Sequence, residues 1–92
     1  MILNAEIECI LYDGHSLKEK RSVLKPMVTK LRQRYNISIA ELDHHDVWQR
    51  TKLGIAIVAN EQLHAEQVMQ RVLADIDGNA ELERTITNIE FV

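Results

Sequence analysis

Residues 2–12 alternate: Leu3, Ala5, Ile7, Cys9 and Leu11 share one parity, with Asn4, Glu6 and Glu8 on the other. That is the pattern of a strand with one buried face. Asp13-Gly14-His15 is a turn signal. Ser16-Leu17-Lys18-Glu19 fits the S-x-x-E box, in which a hydroxyl and a carboxylate satisfy backbone donors at the start of a helix. The helix runs to about Arg34, and Leu17, Leu24, Met27, Val28, Leu31 and Tyr35 recur at three-to-four-residue spacing as its buried stripe. Residues 37–43 read as a second strand and residues 44–50 as a hairpin loop. Leu53 to Ala59 is a nearly continuous apolar strand, expected to be central. Asn60 is placed to cap a second helix with Ala65, Val68, Met69, Val72, Leu73 and Ile76 on one face and Gly78 as its stop. Residues 82–92 form a last strand whose inward parity the sequence leaves open.

The order β-α-β-β-α-β predicts an α+β fold of ferredoxin-like type: one domain, a four-stranded antiparallel sheet with two helices on one face. Pro26 conflicts with the rule against proline inside a helix, because it removes one backbone bond. The capping box and the apolar stripe both begin before it, so a kinked helix is expected.

Composition changes this picture little. At 46% apolar and 27% charged, the 92 residues have the make-up of a globular domain. No apolar run reaches the roughly 18–20 residues needed to span a bilayer, and Met1-Ile2-Leu3-Asn4 lacks the basic start of a signal peptide. One cysteine, Cys9, excludes a disulfide framework and is expected in the core; a reducing cytoplasm is the expected compartment.

Charge changes it more. Residues 18–52 carry nine Lys or Arg against four Asp or Glu, a balance of +5; the rest carries two against ten, or −8, for a net −3. A block split of this kind implies a polarised surface. At about 100° per residue, Lys18, Arg21, Lys25 and Arg32 fall within about 60° of one another on the first helix, while Lys20, Lys30 and Arg34 are assigned elsewhere on its surface. Glu19 is that helix's only acid, so internal pairing cannot neutralise the stripe. Several of the cations sit at the end where the helix dipole disfavours positive charge, and cations around a helix N-terminus suit an anion. Topology brings that end beside the hairpin with Trp48, Gln49, Arg50 and Lys52. An aromatic among amides and guanidinium groups is the chemistry that stacks single-stranded bases. The candidate contact surface is therefore Lys18, Lys20, Arg21, Lys25, Trp48, Gln49 and Arg50. The plainer alternative is a solvated helix face, with Trp48 folded into the core and Arg50 paired to Glu41, Asp43 or Asp46. The net acidity also opposes a long nucleic-acid groove.

Enzyme chemistry finds little support. Asp43-His44-His45-Asp46 resembles an Asp-His-His metal motif, but further ligands on other strands are missing. Acylphosphatase activity needs a phosphate-cradling loop ending in arginine, where this chain has Tyr12-Asp13-Gly14-His15-Ser16. No glycine-rich nucleotide loop is present, and no metal or cofactor is expected. The open sheet face lacks aromatics for base stacking; Ile10, Ile37, Ile39 and Val58 are read as an apolar patch there that would suit a homodimer.

Ser16-Leu17-Lys18-Glu19-Lys20-Arg21 resembles the S-L-K-x-K-R segment of the YlxP-like family of small bacterial proteins of unknown function. Asn36–Glu41, Asp46, Trp48-Gln49-Arg50 and Leu53-Gly54 resemble that family's second strand, hairpin and third strand; Pro26 and His44-His45 depart from it. The resemblance implies the ferredoxin-like fold and a cytoplasmic protein often encoded beside translation and ribosome-maturation factors. Together these features lead to the expectation of a non-enzymatic protein that contacts RNA or a ribosomal subunit in translation or ribosome assembly. The alternative is a dimeric structural or regulatory module that binds a protein or small anion without RNA. No membrane partner is expected.

Overall fold

Alternation and capping produce the expected elements. The structure, a computed structural model, describes residues 1–13 and 15–92. Gly14, at the centre of the predicted turn, lies outside them. The elements are β1 (Ile2–Leu11), α1 (Leu17–Arg34), β2 (Ser38–Asp43), β3 (Arg50–Val58), α2 (Gln62–Asp77) and β4 (Leu82–Phe91). The strands form one antiparallel sheet in the order β2-β3-β1-β4. This is the ferredoxin-like arrangement.

The odd residues of β1 point inward, as their parity demands, and Leu3, Ala5, Ile7, Cys9 and Leu11 are all buried. Leu53, Ile55 and Ile57 of β3 join them, with Ile39 of β2. Leu24, Met27 and Leu31 of α1 and Ala65, Met69, Val72, Leu73 and Ile76 of α2 close the core from above. Burial pushes the Cys9 thiol up to about 11, so it stays protonated and unreactive.

Several expectations change in detail. Ile37 and Ile39 do not lie on the open face: Ile39 is buried and Ile37 packs against the core, so of the proposed patch only Ile10 and Val58 are exposed. β3 begins at Arg50, which shortens the loop and puts Arg50 and Lys52 on the strand. The N-cap of α2 is Glu61, without a side-chain cap bond, and not Asn60. Gly78 does end α2, in a right-handed conformation.

The ambiguity of β4 has a cause. Its register against β1 shifts between Glu8 and Cys9. Arg84 pairs with Cys9 and Leu82 with Leu11, whereas beyond the bulge Thr87, Ile89 and Phe91 pair with Ile7, Ala5 and Leu3. Even residues share the core-side parity before the bulge and odd residues after it, so no single alternation fits the strand.

α1 continues through Pro26 as one helix. Pro26 has no N–H for the Ser22 carbonyl, but both residues are exposed, so water can serve it. Pro26→Ala should therefore stabilise the fold by about 1–3 kcal/mol. Ile55→Ala, at a site 1% exposed, should cost about 2–5 kcal/mol. Urea unfolding of the two variants against the parent checks both signs.

Candidate nucleic-acid interface

The site is built at the end of the sheet where β1 leads into α1 and β2 turns into β3. Ser16 caps α1: its Oγ accepts from Glu19 N at 3.1 Å. Glu19 reaches back one residue beyond the cap, its Oε2 accepting from His15 N at 2.8 Å. This reciprocal pair fixes His15 in front of the helix. The His15 ring lies 5.8 Å from that of Trp48, tilted by 53°. Trp48 is half-buried and is not part of the core.

Lys20 is not a surface cation. It is 2% exposed. Its Nζ donates to the carbonyls of His44 at 2.7 Å and Val47 at 2.8 Å, and lies 2.8 Å from Glu41 Oε2. An ammonium has three N–H bonds, and here each has an acceptor. The side chain crosses from α1 to the hairpin and holds it. Lys20 is therefore removed from the contact surface: an anion could reach it only by displacing two carbonyls and a carboxylate. The helical spacing carried this signal, since Lys20 stands four residues before Leu24 and seven before Met27, on the buried face.

Arg50 is also committed. Its Nη2 donates to Glu8 Oε1 at 2.8 Å, so its partner is Glu8 on β1 and none of the hairpin acids. The same oxygen lies 3.1 Å from His44 Nε2. His44 carries a left-handed φ of 65°, and its N–H is held by Asp43 Oδ1 at 2.7 Å; Asp and Asn-type side-chain bonds of this sort support such turns. His45 Nε2 sits 3.2 Å from Glu41 O. Both imidazoles thus serve the hairpin, and among the described residues no three His, Cys, Asp or Glu side chains converge on a metal position. Gln49 is exposed, and its carbonyl accepts from Leu11 N at 2.8 Å.

Lys18, Arg21 and Lys25 remain. All three are exposed, and none forms an ion pair among the described residues. Arg32, further along the stripe, donates from Nη2 to Ile39 O at 2.7 Å, which places the stripe over the β2 edge. The opposite flank of α1 borders a groove of about 500 Å³ against α2, with Pro26, Met27 and Ala74 in its wall. Arg34 and Tyr35 both donate to Asp75 Oδ2 there, each at 2.9 Å.

Comparison with known proteins bears on family and fold. Residues 2–89 match the family described as "Protein of unknown function (DUF503)". The chain belongs to this family. It is 52% identical over 91 residues to the uncharacterized protein YlxP of Bacillus subtilis (strain 168), covering 99% of each chain. Two designed proteins share the fold. One, described as having the ferredoxin fold, gives a TM-score of 0.64 at 12% identity over all of this chain and 87% of its own. The other, Foldit4, gives 0.63 at 12% identity over all of this chain and 99% of its own. At that identity they speak to fold alone.

Two outcomes follow from the Lys20 network. Lys20→Met leaves the Val47 carbonyl without its donor, and leaves the Glu41 carboxylate and the His44 carbonyl with only Thr51 Oγ1 and Val47 N; it should destabilise by about 3 kcal/mol, whereas Lys18→Ala should change stability by less than about 0.5 kcal/mol, and urea unfolding separates them. Burial raises the Glu41 carboxyl, but the hydrogen bonds from Lys20 and Thr51 outweigh it and hold the group below its ordinary 4.5. The folded chain then binds fewer protons than the unfolded one. The contribution is complete above about 4.5 and is lost as pH falls through the lower folded value. Glu41→Gln should flatten the acid limb of a stability-against-pH curve measured by urea unfolding.

Proposed function

We propose that this chain is a non-enzymatic binding protein that contacts RNA, or a ribosomal subunit, during translation or ribosome assembly. The observation that carries the reading is the face formed by Lys18, Arg21 and Lys25. All three are exposed cations without ion-pair partners among the described residues, and Lys18 and Arg21 lie in the first turn and a half of α1, toward the end where the dipole gives cations no support. Helix stability does not account for that placement; a phosphate partner does. Trp48 supplies an aromatic at the same end, and Gln49 an exposed amide. Arg50 would take part only by exchanging Glu8 for phosphate. Lys20 acts behind the surface, by positioning it.

The contact is local. Three cations clustered on one face suit a short stretch of backbone, in keeping with the net charge of −3. A place on the ribosome requires a cytoplasmic protein; no helix among the described residues is long and apolar enough to cross a membrane.

Gradient fractionation of cell extract tests the proposal. The chain should co-migrate with a ribosomal subunit at low salt and leave it at high salt. Arg21→Glu with Lys25→Glu should abolish co-migration while leaving the unfolding midpoint nearly unchanged. Free migration of the parent chain under all growth conditions would refute the ribosomal reading and favour a module that binds a protein or small anion.

A further inference from the structure

The two edges of the sheet are finished differently. Along an antiparallel strand the backbone groups turn alternately toward one neighbour and the other. Leu11 N donates to Gln49 O; by the register of the two strands, the odd residues of β1 and β3 bond to each other. The even residues of β3 then bond to β2, and Ile39 and Glu41 direct their N–H and C=O outward. Both outward carbonyls are covered, that of Ile39 by Arg32 at 2.7 Å and that of Glu41 by His45 at 3.2 Å. Two of the four backbone groups that Ile39 and Glu41 turn outward are thus already bonded, and the β2 edge is partly covered.

The β4 edge is open. Val92 N donates to Ile2 O at 3.0 Å, so the residues of β4 bonded to β1 are even-numbered beyond the bulge. Thr87, Ile89 and Phe91 turn outward. Among the described residues nothing bonds to their outward backbone groups. β4 also carries neither the Lys nor the Pro that commonly guards an edge. Its one arginine, Arg84, is occupied by Asp77 through two bonds of 2.9 and 2.7 Å. Within seven residues Ile86, Ile89, Phe91 and Val92 are 50%, 42%, 39% and 70% exposed.

We propose that this edge pairs with β4 of a second copy of the chain, antiparallel about a two-fold axis at Ile89, joining the two sheets into one. The segment Ile86-Thr87-Asn88-Ile89-Glu90-Phe91-Val92 is self-complementary in that register. Ile89 opposes Ile89 and Thr87 opposes Phe91, so all three outward residues find backbone partners. On the other face Ile86 opposes Val92, apolar against apolar, and Asn88 opposes Glu90, an amide donor against a carboxylate. Neighbouring registers are worse: an axis at Asn88 sets Ile86 against Glu90, and an axis at Glu90 sets two carboxylates face to face. β4 lies at the opposite edge from β2 and the α1 cations, so this interface stands or falls independently of the RNA proposal.

Sedimentation of the full chain over a wide concentration range tests it. The parent should reach twice the mass of the 10.6 kDa chain. Ile89→Pro costs no bond within the sheet, because the Ile89 N–H points outward, and should sediment as a monomer with an unchanged circular dichroism spectrum. Ile89→Lys, at an exposed side chain, should do the same and decides the matter if the proline variant does not fold. Amide exchange at Thr87, Ile89 and Phe91 should slow by about tenfold or more between dilute and concentrated parent protein. A parent that is monomeric at every concentration, a dimer that survives Ile89→Lys, or a dimer whose three amides exchange as fast as in the monomer overturns the proposal.

Discussion

A buried ammonium organises one end of this molecule. Lys20 leaves α1 and ends among two hairpin carbonyls and a β2 carboxylate. Desolvating a lysine is costly, and the cost is offset only because all three N–H bonds are used. The geometry that satisfies them is narrow. The turn at His44, with its left-handed backbone, must present its carbonyl to α1, and Val47 must do the same three residues later. A loop of six residues between β2 and β3 would otherwise have little apolar surface to hold it. Lys20 gives it a fixed position, and Trp48 and Gln49 are positioned with it.

The same constraint separates structural from available charge. The stretch of +5 in the sequence is not one surface in space. Lys20 holds the hairpin, Arg32 covers a β2 carbonyl, Arg34 ties α1 to α2, and Arg50 bridges to β1. Lys52 faces Glu6; Lys18, Arg21 and Lys25 are left over together on the solvent side of α1, and Lys30 lies apart from them beside the groove between α1 and α2. Much of the S-L-K-x-K-R segment therefore serves the fold: Ser16 caps, and Lys20 anchors. The residues free to meet a partner are fewer than the motif suggests, and they are better defined.

Much of this was legible in the sequence. Alternation in β1 gave its buried face residue by residue, and the S-x-x-E box placed the start of α1. The failures share a physical origin: each is a position where a partner distant in sequence overrides the local pattern. Lys20 looks like a solvent cation until its helical position beside Leu24 and Met27 is weighed against its charge. Arg50 looks free because its partner, Glu8, is 42 residues away. β4 defies a single parity because the bulge opposite Glu8 and Cys9 exchanges its faces. Asn60 is a good capping residue by type, yet the helix starts one residue later, at a Glu61 that makes no cap bond. The sheet edges could not be ranked from sequence at all, since covering Ile39 and Glu41 depends on where Arg32 and His45 reach.

Lys20 is a hydrogen-bonded anchor, whereas Lys18 and Lys25 are solvated, and this contrast is open to direct measurement. Nitrogen-detected NMR of the lysine ammonium groups addresses it directly, since exchange of their protons with water reports how each group is held. A slowly exchanging Lys20 ammonium, with couplings across its hydrogen bonds to the His44 and Val47 carbonyls and fast exchange at Lys18 and Lys25, is the predicted result. Exchange at Lys20 as fast as at Lys18 would contradict a hydrogen-bonded anchor at that position.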